Sequence, residues 1–204
     1  MQMLRLPLYQ MKIHTITHKH AHIYLIGDVR YVMYDCGWQD SFPAIKSALR
    51  DLGITFQEIH GVFVSHFHPD HAGTLELLRR HGVAPLILER QIPCIPWLND
   101  FFTREKNDPH GRYAPFDAAA IHPISPDQAQ GYLADCGIDG TILYTNGHSE
   151  DGITLVAGDA AFTGDLPPYE LAENSPQLAD NWRDIIACNV KTVYPAHGII
   201  TEIA

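Results

Sequence analysis

Apolar and polar positions change period several times along the 204-residue chain, and each change marks an element boundary. Residues 12–28 and 31–37 alternate and are rich in β-branched and aromatic side chains, as half-buried strands are. Gly27–Asp28 between them predicts a hairpin turn, so the chain opens as an antiparallel sheet. Asp40 or Ser41 then caps a helix that runs to Leu52, with Ile45, Ala48, Leu49 and Leu52 as its inward stripe and Gly53 as its stop. Residues 59–65 read as a short buried strand, 70–80 as a helix with Leu75, Leu77 and Leu78 on its apolar side, and 84–89 as a further strand. Across 90–122 the periodicity fades and Pro93, Pro96, Pro109 and Pro115 punctuate the chain. This stretch reads as an insertion in a single domain of residues 1–204, not as a core element. Ser125–Pro126–Asp127–Gln128 is a capped helix start with Pro at the first helical position, and the helix runs to Cys136. Residues 141–145, 153–157 and 160–163 are strands, the last two joined across Gly158–Asp159. Ser175–Pro176 opens a final helix to Asn189, and 191–194 is the closing strand. Strands precede helices in each half, which predicts a mixed α/β sandwich with helices outside the sheets.

Composition narrows the function classes. Lys and Arg number 14 against 24 Asp and Glu, a net charge of −10. Such a chain lacks the cationic surface that supplies most nucleic-acid affinity, so neither nucleic acid nor an anionic membrane surface is an expected partner. No apolar run approaches the roughly 20 residues of a membrane span. The first eleven residues carry Arg5 and Pro7 and no signal-like apolar run, so a cytoplasmic location is expected. Cys36, Cys94, Cys136 and Cys188 are scattered without a C-x-x-C pair and read as buried or free thiols. Histidine is unusual, at 13 residues. It is the commonest metal ligand and the side chain that titrates near neutrality, so its clustering matters.

The histidines do cluster. Ser65-His66-Phe67-His68-Pro69-Asp70-His71 lies where a buried strand gives way to a helix. His66 and His68, two apart in extended chain, can point the same way. Pro69 suits a first helical position, which leaves Asp70 and His71 in the first turn beside the same cleft. A single metal takes about three or four protein ligands, and this segment offers donors from two directions, which suggests two adjacent metals. His14, His18, His20 and His22 lack an acidic or Cys partner nearby and read as edge-strand residues. His60, His81, His110 and His122 carry no assignment.

The motif His66-Phe67-His68-Pro69-Asp70-His71 resembles the signature of the metallo-β-lactamase superfamily, and further elements follow in order. These are His148 in Thr-Asn-Gly-His-Ser, Asp165 in Phe-Thr-Gly-Asp, and His197 in Tyr-Pro-Ala-His-Gly, with Asp35 closing an early strand. The resemblance covers nearly the whole chain. It implies a four-layer αββα sandwich, two mixed β-sheets flanked by helices, with a metal site at one edge. It further implies that His66, His68 and His148 hold one metal, that Asp70, His71 and His197 hold a second, and that Asp165 bridges them. Asp159, the rival bridge, sits in a turn pair. Asp35 would support a ligand from behind. Ser149-Glu150-Asp151-Gly152 stands where many relatives have Thr-Pro-Gly, a departure that bears on the shape of that loop.

What the resemblance implies chemically is a hydrolase with two divalent ions, zinc first, although iron or manganese suit the same donors. Asp70 would orient or relay a proton, and a small molecule carrying an ester, lactone, thioester or phosphoester would be the substrate. Glyoxalase-II-like relatives usually add a C-terminal domain, whereas this sequence ends at Ala204. Trp97, Phe101, Phe102, Tyr113 and Phe116 are candidates for an apolar pocket wall, and Tyr169 for a contact to the reacting oxygen. Two other readings share the motif: a mononuclear iron dioxygenase of the persulfide type, and a non-catalytic zinc-binding protein. The sequence leaves the oligomeric state open, a homodimer included.

Overall fold

The computed structural model describes residues 11–203; the features noted around Arg5 and Pro7 lie outside them. Strands β1 (Lys12–His18), β2 (Ala21–Gly27), β3 (Tyr31–Tyr34), β4 (Ile59–Phe63) and β5 (Ala84–Pro85) form one mixed sheet in that order. β1, β2 and β3 pair antiparallel, and β3, β4 and β5 parallel. The second sheet runs β10 (Thr201–Glu202), β9 (Thr192–Pro195), β8 (Ala160–Gly164), β7 (Ile153–Ala157), β6 (Gly140–Tyr144), with β8 and β9 parallel and its other pairs antiparallel. Among the described residues six α-helices accompany them: α1 (Phe42–Leu52), α2 (Pro69–Ala72), α3 (Leu75–Arg80), α4 (Ile95–Thr103), α5 (Pro126–Asp135) and α6 (Pro176–Ala187).

The two-residue period of the strands produces the layers. Ile23 and Leu25 of β2 face Ile45 and Leu49 of α1, Leu75 and Leu78 of α3, and Leu98 and Phe102 of α4. Tyr24 and Ile26 face the opposite way and join Leu155 of β7 and Phe162 of β8 between the sheets. Val156 and Ala161 point outward from the second sheet onto Leu178, Trp182 and Ile185 of α6. The result is the αββα sandwich that the resemblance implies. Two buried tyrosines tie the sheets together: Tyr24 Oη donates to the Pro195 carbonyl and Tyr34 Oη to the Ile153 carbonyl, each at 2.6 Å.

Several local expectations are corrected. Residues 12–28 are not one strand but a hairpin that turns at Lys19–His20, both with positive φ (50° and 67°). The helix expected over 70–80 breaks after Ala72, because Gly73 N–H donates to the Gly37 carbonyl and Thr74 Oγ1 to the Cys36 carbonyl. Leu52, placed in the inward stripe of α1, is 41% exposed. The strand expected over 84–89 is only Ala84–Pro85, with one further bond to β4 from Leu86 N–H to the Val62 carbonyl. Residues 90–122 do contribute to the core: α4 lies there, and Ile95, Leu98, Phe102 and Phe116 are buried against the first sheet's helices. The strand at 191–194 does not close the chain, since β10 follows it. All four cysteines are free. No helix among the described residues is long and apolar enough to cross a membrane.

Candidate metal centre

Strand direction collects the site. β3 and β4 are parallel, and so are β8 and β9; β6 is antiparallel to β7, which is antiparallel to β8, so β6 also points their way. Every motif residue follows the C-terminal end of one of these five strands. Asp35 follows β3, residues 66–71 follow β4, His148 lies on the loop after β6, Asp165 follows β8 and His197 follows β9. His68 caps α2 in extended conformation, with Pro69 in the first turn.

Two groups of donor atoms result, each within 4.8 Å of one another: His66, His68, His148 and Asp165, and Asp70, His71, Asp165 and His197. Asp165 belongs to both. Its Oδ2 lies 3.3 Å from His71 Nε2, 3.6 Å from His148 Nε2 and 3.9 Å from His66 Nε2, and its Oδ1 is 3.3 Å from His197 Nε2. His197 Nε2 meets Asp70 Oδ2 at 3.0 Å, and His68 Nδ1 faces His148 Nε2 at 3.3 Å. Asp159, by contrast, sits in an exposed turn beside Lys191.

The tautomers are set from behind. Asp35 accepts from Ser65 N–H at 2.6 Å, Ser65 Oγ–H at 2.9 Å and His71 Nδ1 at 2.9 Å. A carboxylate only accepts, so His71 Nδ1 carries a proton and Nε2 is the nitrogen aimed at Asp165. Having donated to Asp35, the Ser65 hydroxyl accepts from His66 Nδ1 at 3.0 Å, which bares His66 Nε2 in turn. His197 Nδ1 donates to the His20 carbonyl at 2.8 Å. One buried carboxylate thus orients an imidazole in each donor group.

Electrostatics follow from burial and neighbours. Burial, with the adjacent imidazoles, holds His66 well below the usual histidine range. His68 is lowered by burial and by His148. Burial opposes a charge on His71 too, but Asp35 and Asp165 outweigh it and carry its pKa up to about 10. Asp70 and Asp165 stay below the ordinary carboxylate range against burial, held there by His197 and His71 respectively. His66 Nε2, His71 Nε2 and Asp165 Oδ1 are buried without a hydrogen-bond partner. Imidazole nitrogens and carboxylate oxygens converging unpartnered in a buried pocket are costly unless a cation joins them; a proton on His71 is one such cation, and the donor set as a whole suits a divalent metal that would displace it.

Other supports had no signal in the sequence. Asp151 is buried, accepts from Phe67 N–H at 2.7 Å and Ser149 Oγ at 2.6 Å, and so fixes the backbone between His66 and His68. Gln91, also buried, donates to the Val64 carbonyl at 2.7 Å. Gly164 has φ +58°, and a Cβ there would lie 2.5 Å from that of Ser65, so only glycine fits beside the orienting hydroxyl. Of the expected pocket aromatics, Trp97 packs against His68 at 5.4 Å with Phe101 beside it. Phe102 and Phe116 are instead core residues, and Tyr113 stacks on Phe102. Tyr169 is half exposed and lines a cavity that reaches His148, Asp165 and His197.

Comparison with known proteins bears on the same features. Structurally the chain is similar to a metallo-β-lactamase with a HARLDQ motif from Cronobacter sakazakii, at 18% identity and TM-score 0.66, over 91% of this chain and 75% of that one. It is similar also to the metallo-β-lactamase SMB-1 bound to 2-mercaptoethanesulfonate (16%, 0.67, 93% and 78%). A metallo-β-lactamase family protein from Thermus thermophilus gives 14%, 0.62, 94% and 74%. No protein of curated function matches. The family model described as the metallo-β-lactamase superfamily matches residues 16–197, which includes every donor named above. The chain belongs to the metallo-β-lactamase superfamily.

Proposed function

We propose that this protein is a metal-dependent hydrolase of a small ester, lactone, thioester or phosphoester. Its binuclear site would be held by His66, His68 and His148 on one side, Asp70, His71 and His197 on the other, and Asp165 between them. The observation that carries the reading is the pair of donor groups sharing Asp165, with Nε2 of His66 and His71 buried and unpartnered. When bound, two divalent ions, most simply zinc, supply Lewis acidity and lower the pKa of water from about 15.7 to about 7.

The chain's own residues do the rest. Asp70 and Asp165 offset part of the cations' charge. Asp70 Oδ2, already 3.0 Å from His197 Nε2, is placed to take and pass on a proton at the edge of the cluster. Asp35 and Ser65 hold His71 and His66 in one tautomer, so the donor atoms need little rearrangement. A purely structural site closes its coordination shell. Here the His148 and His197 side chains remain 35% and 40% exposed and both border a cavity, which favours an open, catalytic site.

Metal analysis of protein purified without added metal, with assays on ester, thioester, lactone and phosphodiester panels, tests the proposal. Two zinc equivalents per chain are expected, with turnover reduced at least roughly a hundredfold in Asp165→Ala. One iron per chain with oxygen consumption overturns it in favour of an iron dioxygenase. Bound zinc without turnover on any panel overturns it in favour of a zinc-binding protein.

A further inference from the structure

Beside the donor cluster lies a cavity of about 400 Å³ between the segment after β8 and the β9–β10 end of the second sheet. Its walls include Leu166, Tyr169, Trp182, Val193, Ile199 and Ile203. Asp165, His148 and His197 form its inner end, so a molecule reacting at the cluster extends directly into it. The volume falls in the range of small-ligand pockets. Among the described residues no Lys or Arg lines it, and Glu170 is the one charged side chain in its wall apart from the donor cluster. Trp182 is fixed there by its indole N–H donating to the Pro167 carbonyl at 2.9 Å and by an edge-on contact with Tyr169.

We propose that this cavity receives an uncharged, apolar acyl group, so that the enzyme acts on neutral esters, lactones or thioesters with a hydrophobic acyl part and discriminates against acyl groups ending in a carboxylate. Away from the donor cluster the wall offers a carboxylate no cation, and Glu170 opposes it, whereas each methylene of an alkyl chain leaves water for apolar surface. In the reaction water adds across the scissile bond. The acyl carbon gains OH, its bond to oxygen or sulfur breaks, and the leaving alcohol or thiol takes the remaining proton. The substrate class rests on the hydrolase reading; occupancy of the cavity does not.

The test therefore has two arms. In the first, metal-free protein is titrated with the neutral fluorophore N-phenyl-1-naphthylamine and competed with 1-octanol or octanoate. Saturable binding is expected, with octanol displacing the probe at least roughly tenfold better than octanoate. Ile199→Lys should weaken probe binding by a similar factor; Ile199 is 78% exposed, so the change leaves the fold intact. In the second, metal-loaded enzyme is given p-nitrophenyl esters from acetate to octanoate and the hemiadipate. kcat/KM should rise about threefold to fourfold per methylene until the cavity is full, with the hemiadipate below the neutral hexanoate. Absence of saturable binding, equal displacement by octanol and octanoate, or preference for the hemiadipate overturns the proposal. A dimer that Ile199→Lys converts to monomer assigns the apolar rim to a second copy and overturns it as well. Probe binding as expected without turnover of any ester upholds the cavity and overturns the hydrolase reading alone.

Discussion

At the scale of single residues, the donor cluster depends on side chains that touch no donor group's free atom: Asp35 holds Ser65 and His71, and Asp151 holds the Phe67 amide. His66, His68, Asp70 and His71 announce themselves because side chains that bind metal are chemically rare and closely spaced. Asp151, Gln91 and the His20 carbonyl act through backbone atoms brought together by the fold, from positions such as Asp151 that stand 84 residues from the amide they serve. Asp35 stands between these cases: its place after a strand was visible, but its three simultaneous donors were not. Those donors make Asp35→Asn a sharp test, because the amide keeps the shape but presents N–H where an acceptor is required. Affinity for the metal on the His71 side should fall by about 10–100-fold, read by competition with a chromophoric chelator. The metal-free protein should lose about 1–3 kcal/mol, read from denaturant midpoints. Unchanged affinity would show that His71 orients itself through packing alone.

At the scale of elements, strands and helices with a strong period were legible, whereas breaks without turn residues were not. Lys19–His20 lacks the Gly or Asn that usually marks a two-residue hairpin, so residues 12–28 read as one strand. A left-handed conformation costs a non-glycine residue about 1–2 kcal/mol. His20→Gly removes that strain at position 20 and keeps the carbonyl that holds His197. A gain of about 0.5–1 kcal/mol in unfolding free energy is expected, after the entropy cost of glycine, with metal affinity unchanged. A loss would mean that the His20 imidazole itself stabilises the hairpin. In α3, Glu76 is buried at 5% exposure and accepts from Arg79 at 2.7 and 2.9 Å and from Arg80 at 2.8 Å. The Arg79 hydrogen bonds, followed after an opposing effect of burial by Arg80, lower its pKa from the ordinary 4.5. The folded value is the lower one, so this stabilisation is present above pH 4.5 and is lost as pH falls through the folded value. Glu76→Gln should cost about 1 kcal/mol at pH 7, with the gap to wild type closing in denaturant titrations run below pH 4.5. A gap independent of pH would locate the effect in packing.

At the scale of the whole molecule, the order of elements was enough to read a mixed α/β sandwich, because each half repeats strands and then helices, but the meeting of the halves was visible only through the scattered motif. The first half supplies His66, His68, Asp70 and His71 with Asp35 and Ser65 behind them; the second supplies His148, Asp165 and His197. Both donor groups draw on both halves. A metal held this way is a crosslink between the two sheets, and its binding free energy is added to that of the folded state, which alone presents the site. At a free concentration of about 100 times Kd the gain is about 2.7 kcal/mol, and in a domain of this size each kcal/mol moves Tm by roughly 2–4 °C. Chelation should therefore lower Tm by about 5–11 °C, and added zinc should restore it. The decisive comparison uses one variant from each half. His66→Ala removes a donor on the first sheet's side and Asp165→Ala the shared donor on the second, and each should abolish most of the zinc-dependent shift. If the full shift survives in Asp165→Ala, Asp165 is not a shared donor, and the link between the two sheets rests on His148 and His197 alone.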